Sequence, residues 1–260
     1  MAQAPSLGEA SISDEMRQGK KPKANNVQVQ RQLQSSRKIL VHGYCDSKSP
    51  FPTSHFSNEI EFSDPDMTNP VPSNWSHDQF AKKINRFADN NNIGSCGCIA
   101  HSQGGAACLH LHTYYWSCLD NGSGNRMIQS VGTPYQGTAL AGNLGAIGDV
   151  FGKGCGYNYD LTYSGASAWL SNVGSSARSA VHYFTTSFEK KWNSYDYCSL
   201  ATDLFLGDPE DGVTEKAYGQ LSGANNRGHK TGWCHTSGMR DPRQGEDSGR
   251  NSDMNNNAYQ

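Results

Sequence analysis

A serine hydroxyl is a weak nucleophile until an imidazole takes its proton, and the oxyanion formed on attack needs N–H donors already in place. The string Ala100-His101-Ser102-Gln103-Gly104-Gly105 meets the local part of that requirement. An apolar run from Gly97 to His101 precedes the serine, and a stretch of small and apolar residues from Gly104 to about Trp116 follows it. Ser102 therefore falls on a strand-to-helix turn, whose tightness demands small side chains two positions to either side. Gly104, Gly105 and Ala106 supply them downstream; upstream the position holds Ala100 in place of the more usual glycine. A second motif, His42-Gly43-Tyr44, follows the apolar run Lys38 to Val41, where a loop N–H can complete an oxyanion hole. The expected donors are the backbone N–H groups of Tyr44 and Gln103, the second reinforced by the positive end of the helix beginning there. His42 is expected to be structural, and His101 to face away from the attacking oxygen and form pocket wall.

The elements that must position these residues alternate. Lys38 to Val41 reads as a strand covered on both faces. Ser76 with Gln79 forms a capping box, and Phe80, Ile84 and Phe87 behind it fall on one helical face. Gly97 to His101 is the next strand and Gly104 to Trp116 the next helix; Arg126 to Val131 and Val181 to Thr185 are later strands. Strand, helix, strand, helix predicts an α/β domain with a mainly parallel sheet and helices on both faces. Residues 1–36 are polar, without sustained apolar periodicity, and are expected to be a flexible leader. The domain is expected over 37–240, with 241–260, which contains Asn255-Asn256-Asn257, as a loose tail. Within the domain, 138–179 is a long segment rich in Gly, Ala and Ser that could form a cap or lid over the site.

Leu40-Val41-His42-Gly43-Tyr44, the Ser102 string and Gly132-Thr133-Pro134-Tyr135-Gln136-Gly137 together resemble the lipase branch of the α/β-hydrolases, over about residues 38 to 240. Part of the chain also resembles secreted conditioned-medium-factor-like proteins, a group with an extracellular signalling association. The lipase resemblance implies the α/β-hydrolase fold and the chain order nucleophile, acid, histidine. It points to Asp211, in an Asp-Gly-Val turn after Leu204-Phe205-Leu206, as the acid, with Asp203 and Asp208 as competitors. His235, before Thr236-Ser237-Gly238-Met239, is the expected base, and His229, in the polar Asn225-Asn226-Arg227-Gly228 stretch, its competitor. Tyr135 stands where that branch usually has histidine and is expected to line the pocket.

These readings imply a serine carboxylic ester hydrolase. Leu140 and Leu144, with other apolar residues of 138–179, would offer an acyl-chain surface, so fatty-acyl esters are the expected substrates, with interfacial contact allowed for. A non-catalytic extracellular binding or signalling protein on the same scaffold is the alternative. No cofactor and no metal are expected; calcium at Asp208-Pro209-Glu210-Asp211 is disfavoured because the spacing has no metal-loop register. A net charge of -2 gives no case for a nucleic-acid partner, and no run approaches the roughly 18 apolar residues of a membrane span. The partner is expected to be a small-molecule or lipid ester. The 8 cysteines are scattered, not clustered as zinc ligands, which favours disulfides in an extracellular setting, although the chain shows no signal peptide.

Overall fold

The computed structural model describes residues 35–64, 76–142, 157–189, 202, 205–237 and 239–259. Strand β1 (Ser35–Val41) is buried at Ile39, Leu40 and Val41 because it lies between two neighbours, β2 (Glu59–Glu61) and β3 (Ile93–His101). The sheet continues through β4 (Ile128–Val131) and β5 (Val181–Ser187) to β6 (Asn225–Thr231), in the order β2-β1-β3-β4-β5-β6 with every pairing parallel.

Alternation along the strands sends side chains to two separate layers. Ile39, Val41, Cys98, Ala100 and Ile128 belong to one apolar cluster; Leu40, Ile99 and Val131 belong to another. The first is covered by α1 (His77–Asn90) and α2 (Gln103–Tyr114) through residues such as Phe80, Ile84, Ala106 and Leu109. Ser76 caps α1 by accepting from the Gln79 N–H at 3.0 Å, as its capping-box sequence predicts. The second cluster is covered by Phe51, Phe56 and Met254, the last on α5 (Ser248–Asn257). Helical cover on both faces of a parallel sheet is the α/β-hydrolase architecture expected from the sequence.

Three expectations need correction. The segment from 241 is not a loose tail. A 3-10 turn (Gln244–Glu246) leads into α5, Asp247 caps that helix by accepting from the Arg250 N–H, and Gln244, Asn251 and Met254 are fully buried. The fully buried Met254 contributes about 2 kcal/mol of apolar transfer. The helix is also held by the Arg126–Asp253 ion pair at 2.6 Å, by the Gln129 amide donating to the Met254 carbonyl at 2.7 Å and by Lys38 Nζ donating to Asn255 Oδ1 at 2.7 Å. Second, Ser35 and Ser36 belong to β1, not to a leader. Third, the polar stretch from Asn225 is not merely a setting for His229 but an edge strand, Asn225–Thr231; its residues are mostly exposed and polar, so no apolar pattern announces it.

The described flanks of 138–179 build the crossover from β4 to β5. They comprise 3-10 turns at Ala139–Gly142 and Tyr159–Leu161, α3 (Tyr163–Ser171) and α4 (Ser175–Ser179). Leu140 and Trp169 join the main core, and the Trp169 indole N–H donates to His110 Nδ1 at 3.1 Å. Residues 143–156, the centre of the expected cap, lie outside the described residues. Cys96 and Cys118 form a disulfide, Cys45 is also disulfide-bonded, Cys98 and Cys108 are buried free thiols, and the buried Cys234 thiol donates to the Asp241 carbonyl at 3.0 Å.

Candidate active site

Ser102 sits between β3 and α2 with φ 53° and ψ -135°, a backbone conformation that a non-glycine residue adopts only when its surroundings impose it. Close approach explains the small residues around it. A Cβ on Gly104 would come within 2.4 Å of the His42 carbonyl oxygen, and one on Gly105 within 2.2 Å of Thr133 Oγ1. Ala100 is fully buried in the core, so a methyl group fits at the upstream position. Gly43 approaches from the other wall; a Cβ there would lie 2.6 Å from Ser102 Cβ.

Ser102 opens on a cleft of about 280 Å³ lined by Gly43, Tyr44, Cys45 and Asp46 on one side, His101 below, and Thr236, Ser237 and Arg243 on the other. Gln103 is the first residue of α2, and its side-chain amide lies 3.2 Å from His77 Nδ1. Tyr44 lines the cleft; burial pushes its phenol up to about 12.

Behind the cleft, His235 is fully buried and its Nδ1 lies 3.0 Å from Asp211 Oδ2. Asp211 is held by its own turn: Oδ1 accepts the Val213 N–H at 3.1 Å and the Thr214 N–H at 2.7 Å, and its carbonyl accepts the His235 N–H at 2.8 Å. These bonds fix the carboxylate against the imidazole. The His235 ring stands 4.6 Å, centroid to centroid, from that of His101, the residue that precedes Ser102. Burial holds the His101 imidazole well below its ordinary value, with His235, Arg243 and Arg250 adding to the effect. His101 lines the cleft, as pocket wall should.

The competing residues are placed elsewhere. His229, on β6, engages Thr185 Oγ1 at 2.9 Å and Ser187 Oγ at 3.1 Å. Asp208 is exposed, and Asp203 lies outside the described residues. Of the expected substrate-binding residues, Tyr135 is fully buried with its hydroxyl 2.8 Å from Ser130 Oγ, and Leu140 is in the core; neither lines the cleft. Both are corrections: the two side chains pack into the main core cluster and so are not available to the cleft. Leu144 lies outside the described residues. Among the described residues no three His, Cys, Asp or Glu side chains are disposed to hold a metal.

Sequence reasoning passed over Asp46, Thr186, Arg243 and Gln244. Arg243 Nη2 and Asp46 Oδ2 form an ion pair at 2.9 Å between the two walls of the cleft. Gln244 reaches both imidazoles. The last two come from the stretch expected to be a tail, and a polar residue in a polar stretch carries no signal until the fold brings it inward.

The described fold is similar to that of lipase BlEst2 of Bacillus licheniformis, at TM-score 0.54 and 19% identity over 76% of this chain and 84% of that one. It is also similar to phospholipase PlaB of Legionella pneumophila, at TM-score 0.51 and 14% identity over 72% of this chain and 45% of that one. Identities this low speak for the fold alone. In sequence the chain is 39% identical, over 249 residues, to conditioned medium factor of Dictyostelium discoideum, covering 95% of this chain and 34% of that protein. It thus spans about a third of that relative's length. The family model for the conditioned medium factor C-terminal domain matches residues 33–258, through α5 and nearly to the end of the chain. The chain belongs to the conditioned medium factor C-terminal domain family.

Proposed function

We propose that this domain is a serine carboxylic ester hydrolase with Ser102 as nucleophile, His235 as base and Asp211 as the residue that orients the imidazole. The observation that carries this reading is the His235–Asp211 pair behind a cleft floored by a serine on a strained strand-to-helix turn. In the proposed reaction Ser102 Oγ bonds to the ester carbonyl carbon as its proton passes to His235 Nε2. The tetrahedral oxyanion is received by the Tyr44 and Gln103 backbone N–H groups, and the proton then leaves with the alcohol as the C–O bond breaks. Water, deprotonated by the same imidazole, releases the acid and restores the serine. No cofactor takes part.

The substrate proposed is an ester with a short or polar acyl group. The fatty-acyl expectation rested on the apolar residues of 138–179; Leu140 and Trp169 are core residues, Leu144 lies outside the described residues, and the described lining of the cleft is mostly polar. A second reading, an extracellular signalling or binding module on a hydrolase scaffold, draws on the relationship to conditioned medium factor, whose name is that of a released factor. An extracellular location is proposed on the same ground, with the disulfides in support. No helix among the described residues is long and apolar enough to cross a membrane.

Reaction with a fluorophosphonate separates the two readings. Stoichiometric labelling that disappears in Ser102→Ala is the enzyme's result; a folded protein that takes no label is the binding module's.

A further inference from the structure

We infer that Gln244 is a positioning residue of this site, its carboxamide oxygen shared by the imidazoles of His235 and His101. The inference takes its kinetic consequence from the serine-hydrolase reading, but its structural content stands on hydrogen-bond geometry alone. One terminal atom of the amide, placed as Nε2, lies 2.9 Å from His101 Nε2 and 3.0 Å from His235 Nδ1. The other lies 2.6 Å from Thr186 Oγ1, which is itself 3.4 Å from Asp211 Oδ2. Gln244 is fully buried, and its backbone N–H donates to the Cys234 carbonyl at 2.7 Å, so its stem is anchored beside the histidine it serves.

A carboxamide presents either its nitrogen or its oxygen with the same shape, and proton bookkeeping decides between them. His235 Nδ1 gives its proton to Asp211 Oδ2, at 3.0 Å. A nitrogen that carries a proton has no lone pair, so an amide N–H facing it would meet another N–H. Turned over, the amide has every group matched. Its oxygen accepts from His235 Nδ1 alongside Asp211 and from His101 Nε2, its NH₂ donates to Thr186 Oγ1, and the Thr186 hydroxyl turns to Asp211. Gln244 then fixes the Nδ1–H tautomer of His235, leaving Nε2 to receive a proton from the serine side, and fixes His101 as the Nε2–H tautomer. During turnover the imidazolium formed on His235 is stabilised by the amide dipole as well as by Asp211. A fully buried polar side chain in a helix-capping segment whose ends meet two histidines and a threonine is costly to place unless each bond is made.

The test pairs Gln244→Met, which keeps length and volume but removes the acceptor, with Gln244→Glu, which restores an oxygen. Imidazole ¹⁵N NMR of the full chain reads the protons directly. The expected wild-type spectrum has His235 protonated at Nδ1 and His101 at Nε2, with His235 becoming a tautomer mixture in Gln244→Met. With p-nitrophenyl acetate, kcat should fall on the order of 10- to 100-fold in Gln244→Met while KM stays within about twofold, and Gln244→Glu should recover most of the loss. A purely packing role predicts the reverse ranking, with methionine tolerated and melting temperature tracking activity. A wild-type His101 protonated at Nδ1, or a Gln244→Met variant with unchanged His235 tautomer, overturns the inference. If the wild type neither turns over esters nor takes a fluorophosphonate, the hydrolase reading fails separately, and the tautomers alone decide the role of Gln244.

Discussion

The cleft has two halves built on different terms. The half that holds the proposed nucleophile, residues 38 to 105, is two strands and the turns at their ends; the positions that matter are adjacent in sequence, and sterics within a few residues determine their conformation. Ser102 takes its left-handed backbone because Gly43, Gly104 and Gly105 let neighbouring chain come within van der Waals reach. The half that holds the proposed base, residues 181 to 247, draws Thr186 from β5, Asp211 and His235 from loops, and Gln244 from the turn before α5. There long-range hydrogen bonds do what steric crowding does in the other half. Local crowding leaves a motif behind, whereas a network assembled across sixty residues leaves polar side chains that look like any surface loop.

Removing one group from each half is the most forceful way to probe this comparison. Ser102→Ala should abolish labelling and lower ester turnover by on the order of 10⁶-fold, and Asp211→Asn by roughly 10⁴-fold, measured as kcat on p-nitrophenyl acetate. Asp208→Asn, a change at an exposed residue of the same loop, should stay within about twofold. Equal losses from Asp208→Asn and Asp211→Asn would dissolve the base half as drawn. Glycines give the next contrast. Gly105→Ala should cost about 1–3 kcal/mol in urea unfolding, because the new Cβ meets Thr133 Oγ1 at 2.2 Å. Gly249→Ala, whose Cβ would have only an ordinary contact with Asp247 Oδ1 at 3.6 Å, should be neutral or stabilise by up to about 1 kcal/mol.

A charge buried behind the nucleophile half sharpens it further. Burial raises Asp160 from 3.8 to about 6, against the pull of the His77 N–H that its carboxylate accepts at 2.7 Å. The folded state therefore holds this proton more tightly than the unfolded chain. Its stabilising contribution is complete below about pH 4 and is lost as pH rises through 6, a change of roughly 3 kcal/mol at most. Asp160→Asn keeps an acceptor for His77 and should flatten that part of the stability profile between pH 4 and 7; an unchanged profile would place the titration elsewhere. The smallest effect expected is at His229, where replacement by alanine removes two bonds to β5 hydroxyls and should change turnover less than about fivefold.

Legibility followed the same division. Lys38 to Val41, the Ser76 cap, the strand before Ser102 and the helix after it could all be read, because apolar period and turn chemistry specify them locally. Asp211 and His235 were legible only through resemblance to lipases; nothing in their own neighbourhoods distinguishes them from Asp208 and His229. β6 was invisible because an edge strand with one neighbour needs no apolar alternation. α5 was invisible because one buried methionine among asparagines does not make a periodic signal. The apolar residues at Tyr135 and Leu140 misled in the opposite sense: apolar side chains after a turn can serve a pocket or a core, and here the core claimed them.

Both rims of the sheet end in a way that bears on how the molecule behaves in a crowd. β2 is only three residues long and carries Glu59 and Glu61; β6 exposes Arg227 and Lys230, and Gly228 breaks its line with φ 118°. A strand from a second molecule arriving at either rim would meet a short or kinked row of backbone groups set among like charges. Among the described residues the sheet thus ends in two hydrogen-bonding margins that resist growth into a continuous sheet.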